Sequence, residues 1–348
     1  MEEYNNFFIQ KNSDLSDAIN QLEQNSIYKI LFVVDHENKI YGSITDGDLR
    51  RALIKKNIDL QSSVCLAINK RVKIIFDKNI SLKQIIEFRK NQYKIIPIVD
   101  HEYKIIDILD FSTQKTILPL DAIIMAGGKG KRLRPLTLSK PKPLLEINNK
   151  TLIEYSIDNL TKYGTKNVWI SLGYLGSQIK NYLNSLKFKN VKLDYVSEKK
   201  ALGTIGAISK VKQFKNKNVL ITNADLITDL DLEKFYFHHI KEKSDLTILV
   251  RKYDIKIPFG VLQIKGKKVK KILEKPIISQ WINGGIYIMK TEHINLVPLN
   301  TFFNMTDLIE KLIKSNLRVS FYEHNSVWYD LGDIEDFKKT MKSNDIAT

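Results

Sequence analysis

The run Ala122-Ile123-Ile124-Met125 passes directly into Ala126-Gly127-Gly128-Lys129-Gly130-Lys131-Arg132-Leu133-Arg134-Pro135. Consecutive apolar residues stopped by glycines read as a buried strand, and buried strands belong to parallel sheets covered by helices. Such a strand hands its glycine-rich turn to the carboxyl edge of the sheet, where open α/β folds bind ligands. Gly127, Gly128 and Gly130 let backbone N–H groups approach an anion closely, and Lys129, Lys131, Arg132 and Arg134 add positive charge. This is not a Walker loop, because Gly130-Lys131 is followed by Arg132 and not by Ser or Thr. It is not a dinucleotide fingerprint either, because Leu133 stands where the third glycine would be.

From Leu120 onward the pattern alternates. Strands are expected at Asp121–Met125, Asn167–Leu172, Lys192–Val196, Asn218–Thr222 and Asp245–Val250. Helices are expected at Thr151–Lys162, Gln178–Asn184, Thr204–Val211 and Leu232–Lys241. This order predicts an α/β fold, a mostly parallel sheet with helices on both faces. Phe259–Ile264, Val269–Leu273 and Gly285–Met289 read as further strands with shorter links, and Asp333–Met341 as a final helix.

The preceding segment carries an internal repeat. Tyr28-Lys29-Ile30-Leu31-Phe32-Val33-Val34-Asp35-His36-Glu37-Asn38-Lys39-Ile40 returns as Tyr93-Lys94-Ile95-Ile96-Pro97-Ile98-Val99-Asp100-His101-Glu102-Tyr103-Lys104-Ile105. Each copy reads as two short strands around a polar turn, preceded by a helical stretch, Leu15–Leu22 or Leu82–Phe88. Such a unit cannot bury its apolar face alone, so the copies should pack as a pair. The pair resembles tandem CBS modules, an α+β arrangement, and places a domain at 1–117 and a second at 118–348. In the first copy, Thr45 and Asp48 match the positions where that family holds a ribose, which implies an adenine nucleotide as a regulatory ligand. The same residue types also cap a helix, here one starting near Asp46. In the second copy Asp110 and Thr113 take these places, so at most one competent site is expected. The pair is expected to regulate or to dimerise, and the chain to form a homo-oligomer.

A chain of 348 residues with a net charge of +16 admits polyanionic partners. Its lysines are spread along the whole length, however, so neither a nucleic-acid nor a membrane partner is expected. The single cysteine, Cys65, excludes an internal disulfide. Apolar runs such as Ile30–Val34 and Ile95–Val99 are strand-sized, and the N-terminus carries no signal-peptide pattern. A cytoplasmic location is expected.

The segment 122–144, which ends in Lys140-Pro141-Lys142-Pro143-Leu144, resembles the signature of sugar-1-phosphate nucleotidyltransferases. The resemblance runs from about residue 120 to the C-terminus. It implies transfer of a nucleoside monophosphate to a sugar 1-phosphate with release of pyrophosphate. It implies that Ala126, Gly127, Gly128 and Gly130 cradle the nucleotide. Arg132 would hold the outer phosphates and Lys142 the α-phosphate. Glu198, Gly203 and Thr204 fall in the base-reading loop. Asn223, Glu274, Lys275, Asn283 and Gly284 match the sugar-phosphate side. Asp225 and Asp330 match the two ligands of a Mg²⁺ ion. Ala224 departs from the usual glycine.

Glu198 stands where uridylyl- and thymidylyl-transferases of this family carry glutamine. An ionised carboxylate only accepts hydrogen bonds, and guanine offers two adjacent donors, whereas uracil offers one donor and one acceptor. GTP is therefore the expected donor. The other reading has Glu198 facing solvent or pairing with Lys199 or Lys200. The fusion of a CBS pair to such an enzyme resembles bacterial guanylyltransferases of surface-glycan and nonulosonic (legionaminic) acid pathways. That resemblance implies glucosamine 1-phosphate, with mannose or heptose 1-phosphate next. The different class of reading is a non-catalytic nucleotide sensor.

Overall fold

The structure, a computed structural model, describes residues 2–25, 27–56, 58–188, 190–332 and 337. The expected helix Asp333–Met341 lies outside the described residues except for Phe337. Two compact units divide the chain, Met1–Ile117 and Leu118–Thr348.

In the first unit, strands β1 (Phe8–Gln10), β2 (Ile30–Val34) and β3 (Ile40–Thr45) form one sheet, with helices α1 (Leu15–Gln24) and α2 (Asp46–Lys56). Strands β4 (Ile75–Phe76), β5 (Ile95–Val99) and β6 (Ile105–Asp110) repeat it, with helix α3 (Leu82–Lys90). The repeat in sequence is a repeat in structure down to the same register irregularity, between Val33 and Val34 and between Ile98 and Val99. The copies meet at their turns. Ile40 N donates to Tyr103 O at 3.0 Å, and Ile105 N returns the bond to Asn38 O at 2.9 Å. Phe32 and Val34 share a core with Ile95, Val99, Ile105 and Ile108, which buries the faces that neither copy could cover alone.

The second unit is built on a seven-stranded sheet. Its elements are β7 (Asp121–Met125), a small hairpin β8 (Glu146–Ile147) and β9 (Lys150–Thr151), α4 (Leu152–Lys162), β10 (Asn167–Leu172), α5 (Gly176–Ser185) and β11 (Lys192–Ser197). These are followed by β12 (Asn218–Asn223), β13 (Leu226–Thr228), α6 (Leu232–Lys241), β14 (Leu246–Lys256), β15 (Val261–Lys265), β16 (Lys268–Leu273), β17 (Ile277–Lys290), α7 (Met305–Lys314), β18 (Val319–Glu323) and β19 (Trp328–Asp330). The order in the sheet is β11-β10-β7-β12-β17-β14-β18. Only β17 runs against its neighbours, so the sheet is mostly parallel, as the alternation predicted.

The expected helix at Thr204–Val211 is a short 3-10 turn, Gly206–Lys210. Gly203 has φ +79°, and a side chain there would meet Phe303 O at 2.5 Å, so the backbone cannot enter an α-helix at that point. Strands β14 and β17 run much further than expected and leave the sheet together as a ribbon, with β15 and β16 paired only to each other.

Candidate active site

The candidate residues gather at the carboxyl ends of β7, β10, β11 and β12, the edge where open α/β sheets bind ligands. The glycine loop is fixed there from several sides. Ala126 N donates to Ser171 Oγ at 3.2 Å, and Tyr174 N donates to Gly127 O at 3.2 Å. A side chain at Gly173 would lie 2.5 Å from Gly127 O, so the two strand-end turns pack backbone to backbone. Gly130 adopts φ +56°, and a Cβ there would lie 3.0 Å from Thr137 Cγ2 and 3.2 Å from Lys142 Cβ. Lys129, Lys131, Arg132 and Arg134 are exposed or nearly so and make no ion pair among the described residues, so their charge is available to a ligand.

Asp225 follows β12 directly, because Ala224 N donates to Met125 O at 3.1 Å and turns the chain over β7. Its neighbour strand β13 then pairs antiparallel with β19, with Leu226 opposite Asp330. Leu331 N donates to Asp225 O at 3.3 Å. The two sequence-distant aspartates are thus placed side by side by one short ribbon. Beneath it, Leu133, Ile227 and Leu331 share a buried cluster with Leu145 and Leu152. Each of the first three adjoins or nearly adjoins a site residue, so this core holds Arg132, Asp225 and Asp330 to a common base. Gly332 lies between Arg132 and Asp330: a Cβ there would be 3.5 Å from Arg132 Nη1 and 3.6 Å from Asp330 Oδ1.

Lys142 Nζ forms an ion pair with Asp225 Oδ2, and both side chains are mostly buried. The other oxygen, Asp225 Oδ1, is buried and has no hydrogen-bond partner. Leaving a buried carboxylate oxygen unpaired is costly, and a bound cation would satisfy it. Asp225, with its open buried oxygen, and Asp330 on the neighbouring strand offer oxygen donors of the kind that suits a hard divalent cation.

Glu198 follows β11 and is turned inward. Its Oε2 accepts from Leu202 N at 3.0 Å, and a Cβ at Gly127 would lie 2.5 Å from its Oε1. It makes no ion pair with Lys199 or Lys200 among the described residues. Gly203 and Thr204 complete this loop by anchoring it to the start of α7. Thr204 N donates to Asn304 Oδ1 at 3.3 Å, and Thr204 Oγ1 accepts from Met305 N at 2.8 Å.

On the far side of Asp225, Asn223 lies against Gly285, whose φ is +73° and whose added Cβ would meet Asn223 Nδ2 at 2.8 Å. Gly285 N donates to Asn283 Oδ1 at 3.0 Å, and Trp328 Nε1 donates to Gly284 O at 2.9 Å. Asn223, Asn283 and Gly284 are therefore brought beside the aspartates. Glu274 and Lys275 are not. They sit exposed at the turn between β16 and β17, out on the ribbon, and Lys275 has no hydrogen bond or ion pair among the described residues.

In the first unit, Thr45 and Asp48 come together as a helix cap. Asp48 Oδ2 accepts from Thr45 N at 2.9 Å and from Thr45 Oγ1 at 2.6 Å, and Oδ1 accepts from Arg51 Nη2 at 2.6 Å. Both carboxylate oxygens are engaged, which is the capping arrangement. Asp110 bonds Tyr28 and Ser112 instead, and no helix follows β6.

Residue-type reasoning missed Gly173 and the cluster around Leu133. The first had a signal, a glycine at the end of an apolar strand; the second had none, because it forms from segments far apart in sequence. A cavity of about 780 Å³, lined by Phe214, Asn218, His239, Lys243 and Lys290 among others, lies at the opposite ends of β12 and β17 and contains none of the candidate residues. No helix among the described residues is long and apolar enough to cross a membrane.

Comparison with known proteins identifies the family and the fold. The Nucleotidyl transferase family matches residues 121–345, and the CBS domain matches residues 2–55. The chain is 33% identical over 228 residues to D-glycero-alpha-D-manno-heptose 1-phosphate guanylyltransferase of Aneurinibacillus thermoaerophilus, covering 64% of this chain and 97% of the relative. It is 30% identical over 230 residues to mannose-1-phosphate guanyltransferase of Aspergillus oryzae, covering 63% of this chain and 62% of that protein. Crystal structures of HddC from Yersinia pseudotuberculosis, one complexed with GMP-PN, superpose with a TM-score of 0.50 at 29% identity, covering 64% of this chain and 98% of theirs. This chain belongs to the nucleotidyl transferase family, as an enzyme of that class with a CBS domain ahead of its catalytic unit.

Proposed function

We propose that the protein is a sugar-1-phosphate guanylyltransferase that joins GTP to a sugar 1-phosphate and releases pyrophosphate. The observation that carries this reading is the Lys142–Asp225 ion pair, set beside Asp330 and beneath a cationic glycine loop. The glycine loop and Arg132 would bind and align the triphosphate. Lys142, held by Asp225, would meet the α-phosphate and stabilise the charge that develops there. An oxygen of the sugar phosphate attacks the α-phosphorus in line, the bond to the bridging oxygen breaks, and pyrophosphate leaves with the electron pair. The nucleophile is already ionised at neutral pH, so this step requires no general base. Asp225 and Asp330 would hold a divalent cation, Mg²⁺ by its preference for oxygen donors, which supplies charge neutralisation when bound.

Glu198 supports guanine as the base. Its carboxylate is turned towards Gly127 and not into solvent, and each of its oxygens can accept more than one hydrogen bond. For the sugar, the relatives favour heptose or mannose 1-phosphate ahead of glucosamine 1-phosphate. Pyrophosphate release with Mg²⁺, across four nucleotides and these three sugar phosphates, tests the reading. Turnover with GTP and one of them is expected; no turnover with any pair would refute it.

A further inference from the structure

The cavity of about 780 Å³ opens at the first residue of β12 and the last of β17, the sheet edge opposite the catalytic residues. Four lysines line it, and they come from three segments. Lys212 and Lys217 belong to the loop before β12, Lys243 to the turn after α6, and Lys290 to the end of β17. Glu292 is the one acid among the lining residues, and it stands 4.0 Å from Lys290. Lys290 is also held by Asp245 at 2.7 Å. Lys212, Lys217 and Lys243 make no ion pair or side-chain hydrogen bond among the described residues, so their charges are uncompensated. The carboxyl end of a helix ordinarily disfavours an anion. At the end of α6, however, Glu242 N, Ser244 N and Lys243 N donate to His238 O, His239 O and Ile240 O at 2.9, 3.2 and 3.1 Å. The last carbonyls are thereby satisfied. The walls are also fixed in place. Asn216 N and Nδ2 donate to Asp121 Oδ2 and Oδ1 at 2.8 and 2.9 Å, which ties the loop to the first residue of β7. Thr291 N donates to Lys217 O at 2.9 Å, which ties the same loop to the end of β17. The ring of Phe214, another lining residue, lies 4.7 Å from that of Trp169.

We propose that this cavity is a second ligand site, separate from the catalytic edge, and that it takes a nucleotide by its phosphates. Charge is the first argument. A cleft lined by one sign of charge concentrates the opposite sign, and three uncompensated ammonium groups suit a ligand with several negative charges. Size is the second. Pockets of about 300–1,000 Å³ take whole organic ligands, whereas inorganic phosphate or pyrophosphate would leave most of this volume to water. The third is the mixed wall. Phe214 and Ile240 give it an apolar side, and Gln213 and Asn218 bring side-chain amides. A nucleobase has a flat face for the ring of Phe214 and polar edges for the amides, and a sugar phosphate has no flat face to offer.

The test uses the full chain, and hydrogen exchange tells this site from the catalytic one. Exchange is followed against rising ADP, GDP, UDP or pyrophosphate, for the wild type and for Lys217→Ala with Lys243→Ala, both exposed positions outside the catalytic edge. At least one nucleotide should slow exchange over residues 211–217 and 243–244 to a saturating level. The double variant should need at least tenfold more of that nucleotide for the same protection, with protection of residues 126–130 unchanged. Protection confined to residues 126–130 would overturn the proposal. So would protection at 211–217 that has the same midpoint in the double variant. Pyrophosphate acting there at the concentration of the best nucleotide would mean a site for small anions only, and would overturn the assignment to a nucleotide.

Discussion

Lys142 and Asp225 lie 83 residues apart in sequence and share an ion pair in which the lysine holds one carboxylate oxygen while the other stays buried and unpartnered. The pair holds the carboxylate in place, and a divalent cation arriving at the open oxygen would release the lysine towards the triphosphate. Each partner therefore acts in the same step. Lys142→Ala and Asp225→Asn should each lower kcat by about 10²–10³, the usual cost of removing one charge-stabilising group. The double variant should lose little more than either single one, because the two residues work as a unit. Steady-state pyrophosphate release decides this; losses that multiply in the double variant would mean separate roles.

Glu198 can be converted into the glutamine that reads uracil with no change of length. Its Oε2 accepts from Leu202 N, a bond that the amide oxygen of glutamine can also accept. Glu198→Gln should cost GTP about 1–3 kcal/mol of transition-state binding, the price of a mismatched donor, and should raise the kcat/KM for UTP. A competition assay with both nucleotides measures the ratio directly. An unchanged ratio would remove Glu198 from base recognition.

Two neighbouring glycines make a control for that assignment. A Cβ at Gly127 would lie 2.5 Å from Glu198 Oε1, whereas one at Gly128 meets nothing within 4 Å. Gly127→Ala must displace the carboxylate, and Gly128→Ala need not. Thermal unfolding of Gly128→Ala should match the wild type, and only Gly127→Ala should change the preference for GTP over UTP.

The parts of this site that are local in sequence were legible there. Strand β7 falls on the residues expected, Asp121–Met125, because an apolar run between turn residues has few other uses. Helix α7 was overlooked although its signs were present: Asn304 and Asp307 form a capping box, and Met305, Leu308 and Leu312 bury one face. The strands expected at Asp245–Val250 and Gly285–Met289 stop short of the outer halves of β14 and β17, whose alternation of Lys and Asp with Ile and Tyr belongs to no buried face. The pairing of β13 with β19 could not be read from residue spacing at all. Nothing in the residues near Asp225 announces Asp330; only the resemblance to a family joined them, and the structure supplies the physical link.

His239 gives the catalytic unit a defined response to acid. The imidazole is buried, with Nδ1 2.7 Å from Thr247 Oγ1 and Nε2 3.2 Å from Asn218 Oδ1. Burial, then the charge of Lys290, push its pKa from 6.5 down to about 4, against a smaller opposing pull from Asp245. An asparagine oxygen only accepts, so Nε2 carries the proton and the neutral ring satisfies both partners. Between pH 6.5 and 4 the unfolded chain takes up a proton that the native state refuses. The stabilisation is complete above pH 6.5 and is lost as the pH falls towards 4, by roughly 3 kcal/mol at one proton. Trp169, Trp281 and Trp328 are the chain's three tryptophans, and all belong to the catalytic unit, so their fluorescence in urea follows this unit alone. Stability should decline across that window in the wild type. In His239→Gln, which can keep both hydrogen bonds but cannot titrate, the decline should be smaller by about that amount. Equal slopes in the two proteins would place the acid response on other groups.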